Sequence, residues 1–100
     1  MTPPGDALEF VEGPAFKVAN ELVPGLDLAA KDFVSRSPQK LRPLNSVLRT
    51  YDVIHLGRTY EILAHRKGNN RIHLLAAAEV VDGRGLGPET LKYFIARFPK

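Results

Sequence analysis

Polar and apolar positions change period along this chain, and the changes mark its elements. In "GPAFKVANELVPG", Ala15, Val18, Ala19 and Leu22 recur at helical spacing. Gly13 and Pro14 suit an N-cap and first helical position, because Pro gives up an N–H that has no helical partner there. Pro24 and Gly25 stop the helix. The preceding "DALEFVEG" predicts a short helical turn ending at Gly13. A second helix is predicted from Asp27, an N-cap residue, through "LAAKDFVSR". Leu44, Val47, Leu48 and Tyr51 again show i, i+3, i+4, i+7 spacing, which predicts a helix over about 43–50. One long strand over Val47–Leu56 is the rival reading.

From Tyr51 the period falls to two. Tyr51, Val53 and His55 alternate with Asp52, Ile54 and Leu56, and Gly57–Arg58 predicts a tight turn. Tyr60, Ile62 and Ala64 follow on one face. After "GNN" come Ile72, Leu74, Ala76, Ala78 and Val80. A Gly68–Asn69–Asn70 loop sets Lys67 opposite Arg71, His65 opposite His73, Leu63 opposite Leu75 and Tyr60 opposite Ala78. Tyr60, Ile62, Ala64, Leu74, Ala76 and Ala78 then share one side, and a one-residue slip would break that face. In "GPETLKYFIARFPK", Gly87 and Pro88 open a last helix with Glu89 in its first turn. Its stripe of Leu91, Phe94, Ile95 and Phe98 is predicted to pack on the sheet.

These elements predict an α+β domain: N-terminal helices, a three-stranded antiparallel meander and a C-terminal helix on the sheet. Residues 1–5 form a loose start, 6–50 are mainly helical, 51–81 form the sheet and 88–98 the closing helix. One hundred residues is one small domain with one core. The 44% hydrophobic content is that of a globular chain. No apolar run approaches the roughly 18 residues that span a bilayer, and "MTPPGDALEF" lacks the basic and apolar regions of a signal peptide. The absence of cysteine excludes disulfides and thiolate zinc sites. Together these predict a cytoplasmic protein without membrane contact.

Charge sharpens the picture. Residues 1–34 carry a net −4 and residues 35–100 a net +7. Such asymmetry points to an anionic partner for the second part, or to acidic helices covering basic strands. Arg66, Lys67 and Arg71 cluster around the "GNN" turn, with Asn69 and Asn70 at its apex. Arg36, Lys40, Arg42 and Arg49 supply a second basic stretch. Arg and Lys satisfy phosphates, Asn bonds base edges, and a two-stranded ribbon fits the major groove. The candidate nucleic-acid contacts are therefore Arg66, Lys67, Asn69, Asn70, Arg71, Arg42 and Arg49. An ordinary solvated charged turn, which keeps a strand edge from aggregating, accounts for the same residues.

Other chemistry is thin. His65 and His73 on neighbouring strands are two imidazoles where zinc wants at least three protein ligands. His55 has the opposite parity, and Glu61 and Glu79 sit too far along the strands. "GRGLG" before a helix suggests phosphate binding, but the fuller Gly-x-Gly-x-x-Gly pattern is absent and Glu89 would repel an anion. No nucleophile elbow or carboxylate pair stands out, so no catalysis, metal or cofactor is predicted. The expected function is a small non-catalytic binding module, nucleic-acid-binding or an accessory regulator. The alternative is a protein-interaction module acting as a homo- or hetero-oligomer: an inhibitor, antitoxin-like partner or assembly subunit. Apolar "FVEGPAFKVANELV", more than one small core needs, motivates that alternative.

Over residues 43–98, the predicted order of helix, three antiparallel strands and helix resembles double-stranded-RNA-binding domains. That family sets phosphate-gripping lysines at the start of its last helix. Here "GPETLK" offers Pro88, Glu89 and only Lys92, and the chain is not assigned to it.

Overall fold

Ten residues of alternating pattern, "RTYEILAHRK", form the central strand of the molecule, and everything else is arranged around it. The computed structural model describes residues 9–36, 42–43, 47–68 and 70–98. The loose start at 1–5, Lys40 and Asn69 lie outside the described residues. In chain order the elements are β1 (Glu9–Glu12), α1 (Pro14–Leu22), α2 (Leu26–Arg36), β2 (Arg42–Pro43), β3 (Leu48–His55), β4 (Arg58–Lys67), β5 (Arg71–Glu79) and α3 (Pro88–Arg97). The sheet order is β1-β5-β4-β3-β2. The α+β class and a single sheet hold, but the sheet is mixed. β1 runs parallel to β5, and the other pairings are antiparallel.

Three element assignments are thereby corrected. Residues 9–12 form a strand, not a helical turn. Without β1, apolar β5 would present an unpaired backbone edge, the situation sheets avoid. β1 pairs in register from Glu9↔Arg71 to Glu12↔Leu74, and Gly13 N–H donates to the Leu74 carbonyl at 2.8 Å. The helix expected over about 43–50 is strand from Leu48, so the likeness to double-stranded-RNA-binding domains, which began with that helix, does not hold. The i, i+3 spacing misled because both sheet faces are covered. Leu48 packs with Leu63 on one face, while Tyr51 packs with Ile62 on the other. Positions three apart on a strand point to opposite faces, so double-sided burial imitates a helical stripe. Finally, α2 begins at Leu26, with Asp27 inside its first turn and its N–H donating to Asn20 Oδ1 at 3.0 Å.

The register of β4 and β5 follows the expected pairing near the turn: Lys67 opposes Arg71 and His65 opposes His73. It then departs. Ala64 opposes Leu74 but Leu63 opposes Ala76, so Leu75 is an extra residue in a β-bulge. Leu63 therefore does not face Leu75, and Tyr60 faces Glu79 instead of Ala78. Beyond the bulge the sides of β5 exchange. Ala76 joins Leu48, Leu63 and Leu75 beneath α3, while Ala77 packs with the core under α1 and α2.

Two apolar clusters result, one on each face. The larger joins Phe16, Leu26, Ala30 and Val34 of the first helices to Tyr51, Val53, Tyr60, Ile62, Ala64, Ile72 and Leu74. The smaller holds Leu48, Leu63, Leu75 and Ala76, with Leu86, Leu91, Phe94 and Phe98 against it. α1 and α3 both start as expected, with Gly13 and Gly87 as N-caps followed by Pro. The segment leading into α3 makes a second tight turn at Asp82–Gly83 between bridged Val81 and Arg84. Leu86 N–H then donates to Glu61 Oε1 at 2.8 Å. The "GRGLG" loop thus does offer an amide to a carboxylate, and that carboxylate is this chain's own Glu61.

The β3–β4 turn is Leu56–Gly57, one residue earlier than expected. Both have positive φ, 52° and 80°, the requirement of a type I′ turn. Leu56 is also 85% exposed. A non-glycine residue in the left-handed region is strained, and Asn tolerates it better than Leu. Leu56→Asn is expected to stabilise the fold by about 0.5–1 kcal/mol, seen as a higher urea midpoint with unchanged slope. A lower midpoint would contradict the turn assignment.

Candidate nucleic-acid interface

The pleat of β4 decides how its basic residues are presented. Successive side chains on a strand point to opposite faces, so Arg66 and Lys67 cannot act from one side. Arg66 lies opposite Ile72 and shares the α1–α2 face with Arg49 and Tyr51. Lys67 lies opposite Arg71 on the α3 face, with His65 and His73 one pleat behind. The cluster expected at the turn is therefore gathered at one end of the sheet but split across its two faces.

On the α1–α2 side, Arg66 is half-buried and its N–H donates to the Val47 carbonyl at 2.9 Å. Arg49 Nη1 donates to the Leu48 carbonyl at 3.3 Å. Both guanidinium charges act on Tyr51, which is 2% exposed and meets the Phe33 ring edge-on. Burial raises the Tyr51 phenol above its ordinary value, and the charges of Arg66 and Arg49 oppose that rise. Arg42 lies on the outer strand, its backbone paired with Thr50, and its side chain lies outside the described residues. This Arg49–Tyr51–Arg66 grouping is not adjacent in sequence. Its signal was the shared parity of Arg49 with Ala64 and Arg66, which needs the β3–β4 register to be seen.

On the α3 side, Lys67 is exposed and makes no ion pair among the described residues. Arg71 Nε donates to Glu9 Oε1 at 2.8 Å, both side chains about half exposed. An exposed pair of this kind contributes about 0.2–1 kcal/mol at most, and salt weakens it. Asn70 contributes its backbone carbonyl to β1, accepting from Glu9 N–H at 2.7 Å. Acidic masking of the basic strands is thus local. Glu9 covers Arg71, Glu12 reaches Lys31 of α2 at 2.9 Å, and Asp32 pairs with Arg36 within α2.

The opposite end of the sheet has the other sign. Asp52, Glu61, Glu79 and Asp82 gather there, partly balanced by Arg58 and Arg84, and Arg58 reaches Glu79 at 3.4 Å. The domain is therefore polarised along its strands.

His65 and His73 are neighbours as expected, with ring centroids 5.9 Å apart. Among the described residues no group of three or more His, Asp or Glu converges as a metal site. His55 does point to the other face, where Nε2–H donates to the Pro24 carbonyl at 3.0 Å. Glu79, expected on the same face as the His pair, is carried to the α1–α2 side by the bulge. No protein-family model matches this chain, and no curated protein matches it either.

Proposed function

We propose that this chain is a small non-catalytic binding module that engages nucleic-acid phosphates end-on, through the basic end of its sheet. Lys67, Arg71 and Arg66 approach from the β4–β5 turn, with Arg49 on the face of Arg66; Arg42, Asn69 and Asn70 are the further candidate contacts. The supporting observation is polarity: basic residues of β2, β3, β4 and β5 share one end, while the nearby acids Glu9 and Glu12 are occupied by Arg71 and Lys31. Presentation on both faces favours a partner that wraps the sheet end over one lying flat on a face.

The test is anisotropy with labelled single- and double-stranded DNA and RNA. Binding through three to four phosphate contacts is expected to weaken about 40- to 150-fold between roughly 50 and 200 mM salt. Exchanging Arg66 and Lys67 for Glu together should flatten that salt slope without altering the fold. Undetectable binding at about 50 mM salt removes the proposal.

One observation favours a protein partner as the second reading. Leu22, Leu28, Ile54 and Leu56 are 70–85% exposed. They flank the α1–α2 turn and the β3–β4 turn, which the His55–Pro24 hydrogen bond ties together. A homodimer or bound protein at that end is revealed by light scattering, and loss of the larger species in Leu22→Ser would place the contact there.

A further inference from the structure

His65 sits where β4 meets the last turn of α3. Its ring lies 4.4 Å from the Phe98 ring, tilted by 34°, and meets His73 edge-on. Its Nδ1 atom is buried and has no hydrogen-bond partner among the described residues. The surrounding charges are mostly of one sign. Lys67 on β4 and Arg71 and His73 on β5 share its face, and Glu9 on β1 is already engaged by Arg71. From β3 the facing residue is Leu48, and from α3 it is Phe98. Arg97, next along α3, turns away over the Tyr93 ring at 5.4 Å.

α3 is weakly held. None of its residues is fully buried, and it docks through partly buried Leu91, Phe94 and Phe98 on the Leu48–Leu63–Leu75–Ala76 patch. On its N-terminal side Leu86 packs on the same patch and donates to Glu61 Oε1. We propose that this docking is a proton-gated latch: neutral His65 closes the last turn of α3 over the sheet, and protonation of His65, with His73 beside it, releases Phe98 and uncovers the apolar patch.

An imidazolium here would bring a second N–H donor to Nδ1 where no acceptor waits, beside two fixed cations. The π face of Phe98 attracts such a cation, but offers nothing to Nδ1. Burial lowers the pKa of His65, and His73 and Lys67 lower it further. Burial also lowers that of His73, as do Lys67 and Arg71, with Glu9 opposing. A histidine whose docked pKa lies below its free value of about 6.5 supports the docked state fully above that value. The support is lost as pH falls from there through the docked value.

Amide hydrogen exchange on the full chain tests the latch, corrected for the intrinsic effect of pH. Between about pH 7.5 and 5.5, protection over Leu91–Phe98 is expected to fall about fivefold or more while β3 and β4 hold. In His65→Phe, which keeps an aromatic ring on Phe98, that fall should vanish. Protection of α3 that ignores pH, or an equal fall in His65→Phe, overturns the proposal. If that variant does not fold, the wild-type imidazole titration decides. A His65 midpoint below about 6.5 that moves the Phe98 ring signals supports the latch, and a midpoint at or above it refutes it.

Discussion

Phe16→Ala is expected to destabilise the fold by about 3–5 kcal/mol, a large share of the roughly 5–15 kcal/mol that holds a domain of this size. Phe16 is fully inaccessible and is the one buried residue of α1. It joins α1 to Leu26, Ala30 and Val34 of α2 and to the sheet residues Tyr51, Ile62 and Leu74. A nine-residue helix has little stability of its own, so the ring anchors the element. Its removal leaves a void bounded by two helices and a sheet, which cannot all collapse inward. Leu22→Ala in the same helix is the control. That side chain is 78% exposed, and its loss should change stability by less than about 0.5 kcal/mol. Urea unfolding followed by circular dichroism measures both. A Phe16→Ala cost below about 1 kcal/mol would show that α1 does not pack as described.

Deletion of Ile62 is expected to abolish the folded state, whereas deletion of Leu75 is expected to leave it standing. β4 is paired on both sides. Removing one residue from its middle shifts Arg58–Glu61 by one position against both β3 and β5. Tyr60 then leaves the core and Glu61 enters it, because a shift of one reverses every side chain. Leu75 differs because it is the extra residue of the bulge. Without it, Ala64 still opposes Leu74 and Leu63 still opposes Ala76, and every later residue keeps its face. The remaining cost is the burial lost with one side chain that is 8% exposed, about 2–3 kcal/mol. A cooperative urea transition in the Leu75 deletion and none in the Ile62 deletion is the expected pair of results. Equal behaviour of the two would mean the register is wrong.

Elements with their own local punctuation were legible in the sequence. The Gly-Pro starts of α1 and α3, the turn after Lys67 and the pairing of His65 with His73 all follow from residues close together in the chain. The failures share one cause, which is long-range pairing. "EFVE" becomes a strand only because β5, 62 residues away at Arg71, needs a neighbour. The start of β3 was misread because residues facing α3 and residues facing α2 alternate there. The bulge at Leu75 has no sequence mark at all, since Leu75, Ala76, Ala77 and Ala78 are all apolar. For the candidate interface, the grouping of Arg66, Lys67 and Arg71 was visible, and so in principle was their division, because parity follows from the strand period. The partnership of Arg71 with Glu9 was not, because it depends on β1 being a strand.

That distant parallel strand also constrains how the chain reaches its shape. β3, β4 and β5 are joined by short turns and close by local zippering, a fast process. β1 leaves the ribosome before β5 and must wait for some sixty residues before Arg71–Leu74 exists to receive it. Until then the nascent Phe10 has no cleft to enter, and β5, once made, shows a bare rim to any other extended peptide. The earlier strand of the β1–β5 pair is thus seated only after the later one is made, and a helper protein acting on this chain would find its substrate at that rim.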